Sequence, residues 1–224
     1  MSKLPAILAI PFMFFSSCSG GSYSWYQETH IKVTSNTGIY ESRTINGVSW
    51  EYNKQIASGL HVDPWTVAIS GGAPFIELAN DIVLVLSLDG HDKFGISRLL
   101  LDQYFSLQQR NLGVVRSEDI KRFLELDAIS ATIDVPSFAF PSIIGFSDSS
   151  DPSTAFIVEV LNPALAELGV TNIEITVARV ENGKPDSAKL LNVLPWLESE
   201  PFVISAPTLG GEIIRRGSNV LYGG

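Results

Sequence analysis

One cysteine, Cys18, is the only thiol in 224 residues, so no internal disulfide can form. Charge is also scarce, at 17% of residues, and the net balance is −9. With neither a basic stripe nor a polybasic run, the composition argues against nucleic acid and against electrostatic docking to anionic lipid. Heptads, low-complexity tracts and internal repeats are missing. So are a P-loop, a G-x-G-x-x-G turn, an S-x-x-K pair and an H-x-x-x-H pair. Gly145-Phe146-Ser147-Asp148-Ser149 lacks the second glycine of a nucleophile elbow, which removes sequence support for triad geometry there. What remains is 45% hydrophobic, enough for a substantial core in one or two small domains.

The first segment has its own logic. Lys3 and the amino terminus supply positive charge, Leu4 to Phe15 is apolar, and small residues follow, as in a secretory signal. The apolar stretch falls short of the ~20 residues a spanning helix needs. Pro5 and Pro11 weaken a helix further, because each lacks an amide donor. Phe15-Ser16-Ser17-Cys18 resembles the lipobox of bacterial lipoproteins, with Phe15 standing where leucine is usual. That resemblance implies cleavage before Cys18, acylation of its thiol by palmitate-type chains, and Ser19-Gly20-Gly21-Ser22 as a flexible tether. Several acyl chains, each burying methylenes worth ~0.8 kcal/mol apiece, would anchor the chain permanently. Ser19 after the cysteine is not the aspartate of an inner-membrane retention signal, so the expected location is the periplasmic face of the outer membrane. The alternative is an ordinary signal peptide cut near Ser17 or Gly20.

Periodicity then predicts a strand over Trp25–Thr34. Tyr26, Glu28, His30, Lys32 and Thr34 share one face, Trp25, Thr29, Ile31 and Val33 the other, and Gln27 stands out of pattern. Asn36-Thr37-Gly38 reads as a turn, and Ile39–Trp50 as a return strand interrupted by a second turn at Asn46-Gly47. Trp65–Ser70, Phe75–Leu78 and Ile82–Leu88 follow as strands, the last unbroken in apolar character and expected at a sheet centre. Helices are expected over Phe94–Gln109 and from an N-cap at Ser117 to Leu126. Residues 127–142, with Pro136 and Pro141, read as an irregular crossover, and Ser142–Ser147 as a strand. Asn162-Pro163 to Gly169 carries the signals of a short helix. In Asn172–Val180, Ile173, Ile175 and Val177 alternate with Glu174 and Thr176, with Arg179 placed on the wet side. A last helical turn is expected over Ala188–Leu194.

The expected fold is α+β, a mostly antiparallel sheet with a few short helices grouped in the middle of the chain. The expected organisation is a signal over residues 1–17, the lipidated Cys18 and tether over 18–22, one α+β domain over 23–204, and a weakly ordered tail over 205–224. Phe146-Ser147-Asp148-Ser149-Ser150-Asp151-Pro152-Ser153, a helix ending in Gly169 and then Leu194-Pro195-Trp196-Leu197 resemble a family of uncharacterised small proteobacterial proteins, many with lipoprotein signals. Trp25-Tyr26-Gln27-Glu28-Thr29 with Gly38 is similar to that family's opening. The resemblance implies no catalytic residue or ligand.

Candidate chemistry is sparse. Asp89-Gly90-His91-Asp92 follows an apolar strand, where a cation or an acid/base group is often placed; a tight turn with solvated side chains explains it as well. Asp148 and Asp151 could hold calcium, but lack the alternating ligands and closing glutamate of a calcium loop. His30 and His61 read as surface residues. Trp25, Trp50, Trp65 and Trp196 could line a ligand groove, though core packing is the ordinary role of such large rings. The expectation is a membrane-anchored envelope protein with a binding or structural role, no cofactor, no nucleic acid, and an envelope protein as a possible partner. The alternative is an envelope hydrolase or metal-dependent enzyme using Asp89, His91 and Asp92.

Overall fold

The computed structural model describes residues 21–53, 65–88, 96–105, 115–126, 132–158, 163–185, 188–198, 203–208, 211–216 and 222–223. Cys18, His61, Asp89, His91 and Asp92 lie outside them. The chain opens with a long hairpin, β1 (Ser22–Ser35) against β2 (Gly38–Tyr52), antiparallel throughout. Ser35 pairs with Gly38, leaving Asn36-Thr37 as the two-residue turn. Gly38 has a φ of 152°, which a side chain would resist.

Asn46-Gly47 is no turn. Both residues lie inside β2, Asn46 opposite Gln27 and Gly47 opposite Tyr26. The dipeptide carries turn chemistry, but thirteen consecutive cross-strand pairs from Tyr23–Trp50 to Ser35–Gly38 outweigh it.

Around the hairpin, β3 (Trp65–Gly72) pairs with β2, and β9 (Val170–Val180) pairs with the other side of β1. The edges are β6 (Thr132–Asp134) beside β9 and β12 (Tyr222–Gly223) beside β3. The order is β12-β3-β2-β1-β9-β6, every pair antiparallel. The expected irregular crossover over 127–142 thus contributes an edge strand. The tail, expected to be weakly ordered, contributes β12 and a separate hairpin of β10 (Val203–Thr208) and β11 (Gly211–Arg216).

A second antiparallel sheet has the order β4-β5-β7-β8, from Phe75–Glu77, Val83–Leu86, Ile143–Phe146 and Ala155–Val158. All four residues of β5 are buried, as its β-branched apolar run predicts for a central strand. One face, with Leu84, Leu86 and Ile143, joins Ile31, Val48, Trp50 and Val177 of the large sheet in the main core. That core also takes in α1 (Ile96–Phe105) and α2 (Ser117–Glu125), through Leu100, Leu101, Ile120 and Phe123. The other face, with Val85, Ile144 and Phe146, is covered by α4 (Ala188–Val193) and the 3-10 turn Pro195–Glu198, forming a second core.

The fold is therefore α+β and mostly antiparallel. Its helices are not all in the middle: α1 and α2 are, but α3 (Pro163–Glu167) and α4 come late. The N-terminal boundary of α2 also moves by one residue. Arg116 is the cap position, and its amide donates to the Asp119 carboxylate at 3.0 Å. At the end of α3, Gly169 takes a φ of 70°, and a Cβ there would overlap the Asn36 carboxamide. Glycine thus lets the hairpin tip dock, with the Asn36 amide donating to the Gly169 carbonyl at 2.9 Å.

Candidate functional site

Side chains on the covered face of the large sheet fall into three zones. At one end lie Trp25, Trp50 and Trp65. Trp25 and Trp50 stack at 6.2 Å between centroids, and Trp50 and Trp65 meet edge-on at 6.0 Å. At the other end lie Ile31, Val33, Ile175 and Val177, all buried. Between them runs a polar belt. Arg179 of β9 faces Gln27 of β1, which faces Asn46 of β2, so one row crosses three strands. Thr29 and Thr44 face each other in the next row on the same face.

Each member of the first row is at least nine-tenths buried: Gln27 and Asn46 are 0% exposed and Arg179 8%. The sequence reads these three as breaks in the pattern: Gln27 out of phase, Asn46 in a turn, Arg179 on the wet side. The correction is one of phase. Arg179 is two residues beyond Val177 and four beyond Ile175, so the pleat points it the same way. Its charge suggested solvent, and its partners reverse that reading.

Those partners belong to α2. Arg179 donates to the carbonyls of Leu124 and Leu126, the C-terminal end of the helix, where carbonyls lack intrahelical partners and cations are favoured. Its guanidinium carbon sits 5.5 Å from the centroid of the Phe123 ring, a cation–π contact. Phe123 in turn meets Trp25 edge-on at 5.2 Å. At the other end of the row the Asn46 carboxamide donates to the carbonyls of Ser70 and Gly72, at 3.3 and 3.0 Å, beyond the ordinary ladder of β3. Among the described residues, Arg179 Nε, Asn46 Oδ1, Thr29 Oγ1 and Trp25 Nε1 have no hydrogen-bond partner. Each such buried atom costs about 1–3 kcal/mol. A sequence signal for the belt exists in the alternation itself, if phase is carried through Gln27 rather than broken there.

Beside this belt a cleft of about 710 Å³ opens where β9 parts from β1, past the Tyr26–Val180 pair. Trp25, Leu124 and Arg179 line it from the covered face, and Tyr26, Ser70 and Pro185 from the open one. Gly47 makes room for the Ser70 side chain of β3, since a Cβ there would overlap the Ser70 hydroxyl.

Of the tryptophans the sequence offers for a groove, Trp25 lines this cleft, while Trp50 and Trp65 pack in the main core and Trp196 in the second; the described carboxylate and histidine candidates lie elsewhere. Asp148 Oδ1 accepts from the Ser150 amide at 2.8 Å and its hydroxyl at 2.7 Å. These bonds, the hydroxyl's foremost, hold the exposed carboxyl below its ordinary 3.8. Asp151 accepts from the Ser153 amide at 2.8 Å. Both carboxylates thus organise their own loop. Trp196 ties that loop down, donating from Nε1 to the Ser149 carbonyl at 2.8 Å and packing on Phe146 at 5.4 Å. His30 lies on the open face, 3.5 Å from Glu41. Among the described residues, no group of three His, Cys, Asp or Glu is placed to hold a metal. No described helix is long and apolar enough to cross a membrane. An ion pair the sequence reading missed lies in α1, where Arg98 Nε meets Asp102 at 2.9 Å, both largely buried.

No family model, curated protein or solved structure matches the chain.

Proposed function

We propose that this is a bacterial envelope lipoprotein, anchored through an acylated Cys18, whose α+β domain has a binding role. The observation that carries the anchor is the run from Lys3 through the apolar Leu4–Phe15 to Ser16-Ser17-Cys18. A sole thiol placed directly after two small residues has acylation as its natural use. The acidic balance, −9 overall, suits a domain held at a membrane by covalent lipid rather than by attraction to anionic headgroups.

For the binding role the support is the cleft beside Arg179. It lies within the ~300–1,000 Å³ range of small-molecule sites and mixes apolar wall with a few polar groups.

The anchor is tested by following palmitate label and membrane fractionation in cells expressing the wild-type chain or Cys18→Ser. The expected result is label and membrane retention in the wild type and neither in the variant. Membrane retention of an unlabelled wild type would sink the anchor.

A further inference from the structure

We propose that the cleft past the Tyr26–Val180 pair binds a small amphipathic monocarboxylate, with the Arg179 guanidinium as its electrostatic anchor. A cation this far from water is costly unless compensated. Its described compensation is two carbonyl oxygens and a ring face, all neutral. No described carboxylate forms an ion pair with it, and its Nε–H has no hydrogen-bond partner among the described residues. An anion in the adjoining cleft supplies the missing charge.

The cleft's other features set the class of ligand. Trp25, Ile69, Leu124 and Pro185 offer apolar wall, so an apolar body is favoured behind the charged head. Glu181, exposed, also lines the cleft. Its negative charge disfavours a dianion such as a phosphate monoester and leaves a single carboxylate as the better match. Carboxylates also fit the planar fork of arginine donors.

This rests on the binding role proposed above and not on the lipid anchor. An unlabelled Cys18 would leave it standing, and absent ligand binding would leave the anchor standing. The test is calorimetric titration of the full chain with 3-phenylpropanoate, 3-phenylpropan-1-ol and 3-phenylpropylamine. The acid is expected to bind at least about tenfold more tightly than the alcohol, and the amine not at all. Arg179→Met should abolish the preference for the acid. Ala68→Trp, an exposed position at the cleft, should block all binding whether or not the arginine variant folds. Equal binding of acid and alcohol, no binding of the acid at millimolar concentration, or full binding by the folded Ala68→Trp variant would each overturn the proposal.

Discussion

Arg179 lies over the ring of Phe123, its guanidinium carbon 5.5 Å from the centroid, while donating to the carbonyls of Leu124 and Leu126. One residue near the end of β9 thereby fixes the C-terminal end of α2 against the large sheet and forms part of the wall of the cleft. The same contact explains how a charged residue comes to occupy a position that the pleat directs inward.

Removing that contact should be costly. Arg179→Ala is expected to lower stability by about 2–4 kcal/mol, from lost charge-assisted bonds and exposed carbonyl ends. Arg43→Ala, on the open face and 3.6 Å from Glu28, should change it by less than about 0.5 kcal/mol. Urea denaturation of the two variants checks this; similar losses would contradict the buried placement of Arg179.

Two buried tryptophans should respond differently to loss of the indole nitrogen. Trp65 Nε1 donates to the Val115 carbonyl at 2.8 Å, whereas Trp50 Nε1 has no partner among the described residues. Trp65→Phe is therefore expected to cost about 1 kcal/mol more than Trp50→Phe in the same denaturation assay. The reverse order would mean that Trp50 is the hydrogen-bonded one.

Gly145 lies in β7 opposite Phe156 of β8, and a Cβ there would overlap the Phe156 ring. Gly145→Ala should destabilise by about 1–3 kcal/mol through overpacking. In the Phe156→Leu background the same substitution should cost markedly less, and a double-mutant cycle measures the difference. Additive effects would rule out the close approach.

Asp148 gives a pH signature. Ser150 donors stabilise its ionised form, so its folded pKa lies below 3.8. The associated stability is present above 3.8 and is lost as pH falls through the lowered folded value. The stability gap between wild type and Asp148→Ala should hold steady from about pH 7 to pH 5 and narrow below pH 3.8. Denaturant titrations across that range test it, and a gap that widens on acidification would contradict the Ser150 bonds.

The strands were legible where burial and local chemistry agree. Ile82–Leu88 announces a central strand by β-branched apolar character, and Trp25–Thr34 announces one by alternation. Pro163 and Gly169 mark the ends of α3 through rigid and permissive backbone. Reading failed at polar residues whose partners are distant in sequence. Arg179 is satisfied by Leu124 and Leu126, and Asn46 by Ser70 and Gly72. The alternation carries the phase of both, but nothing local names their partners, so Arg179 reads as solvated and Asn46-Gly47 as a turn. Gln27 suffered the same way, since its neighbours in the belt come from β2 and β9. In the cleft's wall Trp25 stands among the sequence-derived candidates, but Arg179 escapes notice because its partners are distant in sequence, while Asp148 and Asp151 draw attention with carboxylates that serve their own loop.

Arg179 is buried in the belt and lines the cleft. The most direct measurement is the side-chain Nε–H spectrum of the arginines by NMR, before and during titration with 3-phenylpropanoate. The predicted result is one slowly exchanging Nε–H resonance, absent in Arg179→Lys, that shifts saturably as the acid is added. Arginine resonances that all exchange at solvent-exposed rates, with none shifted by the acid, would contradict it.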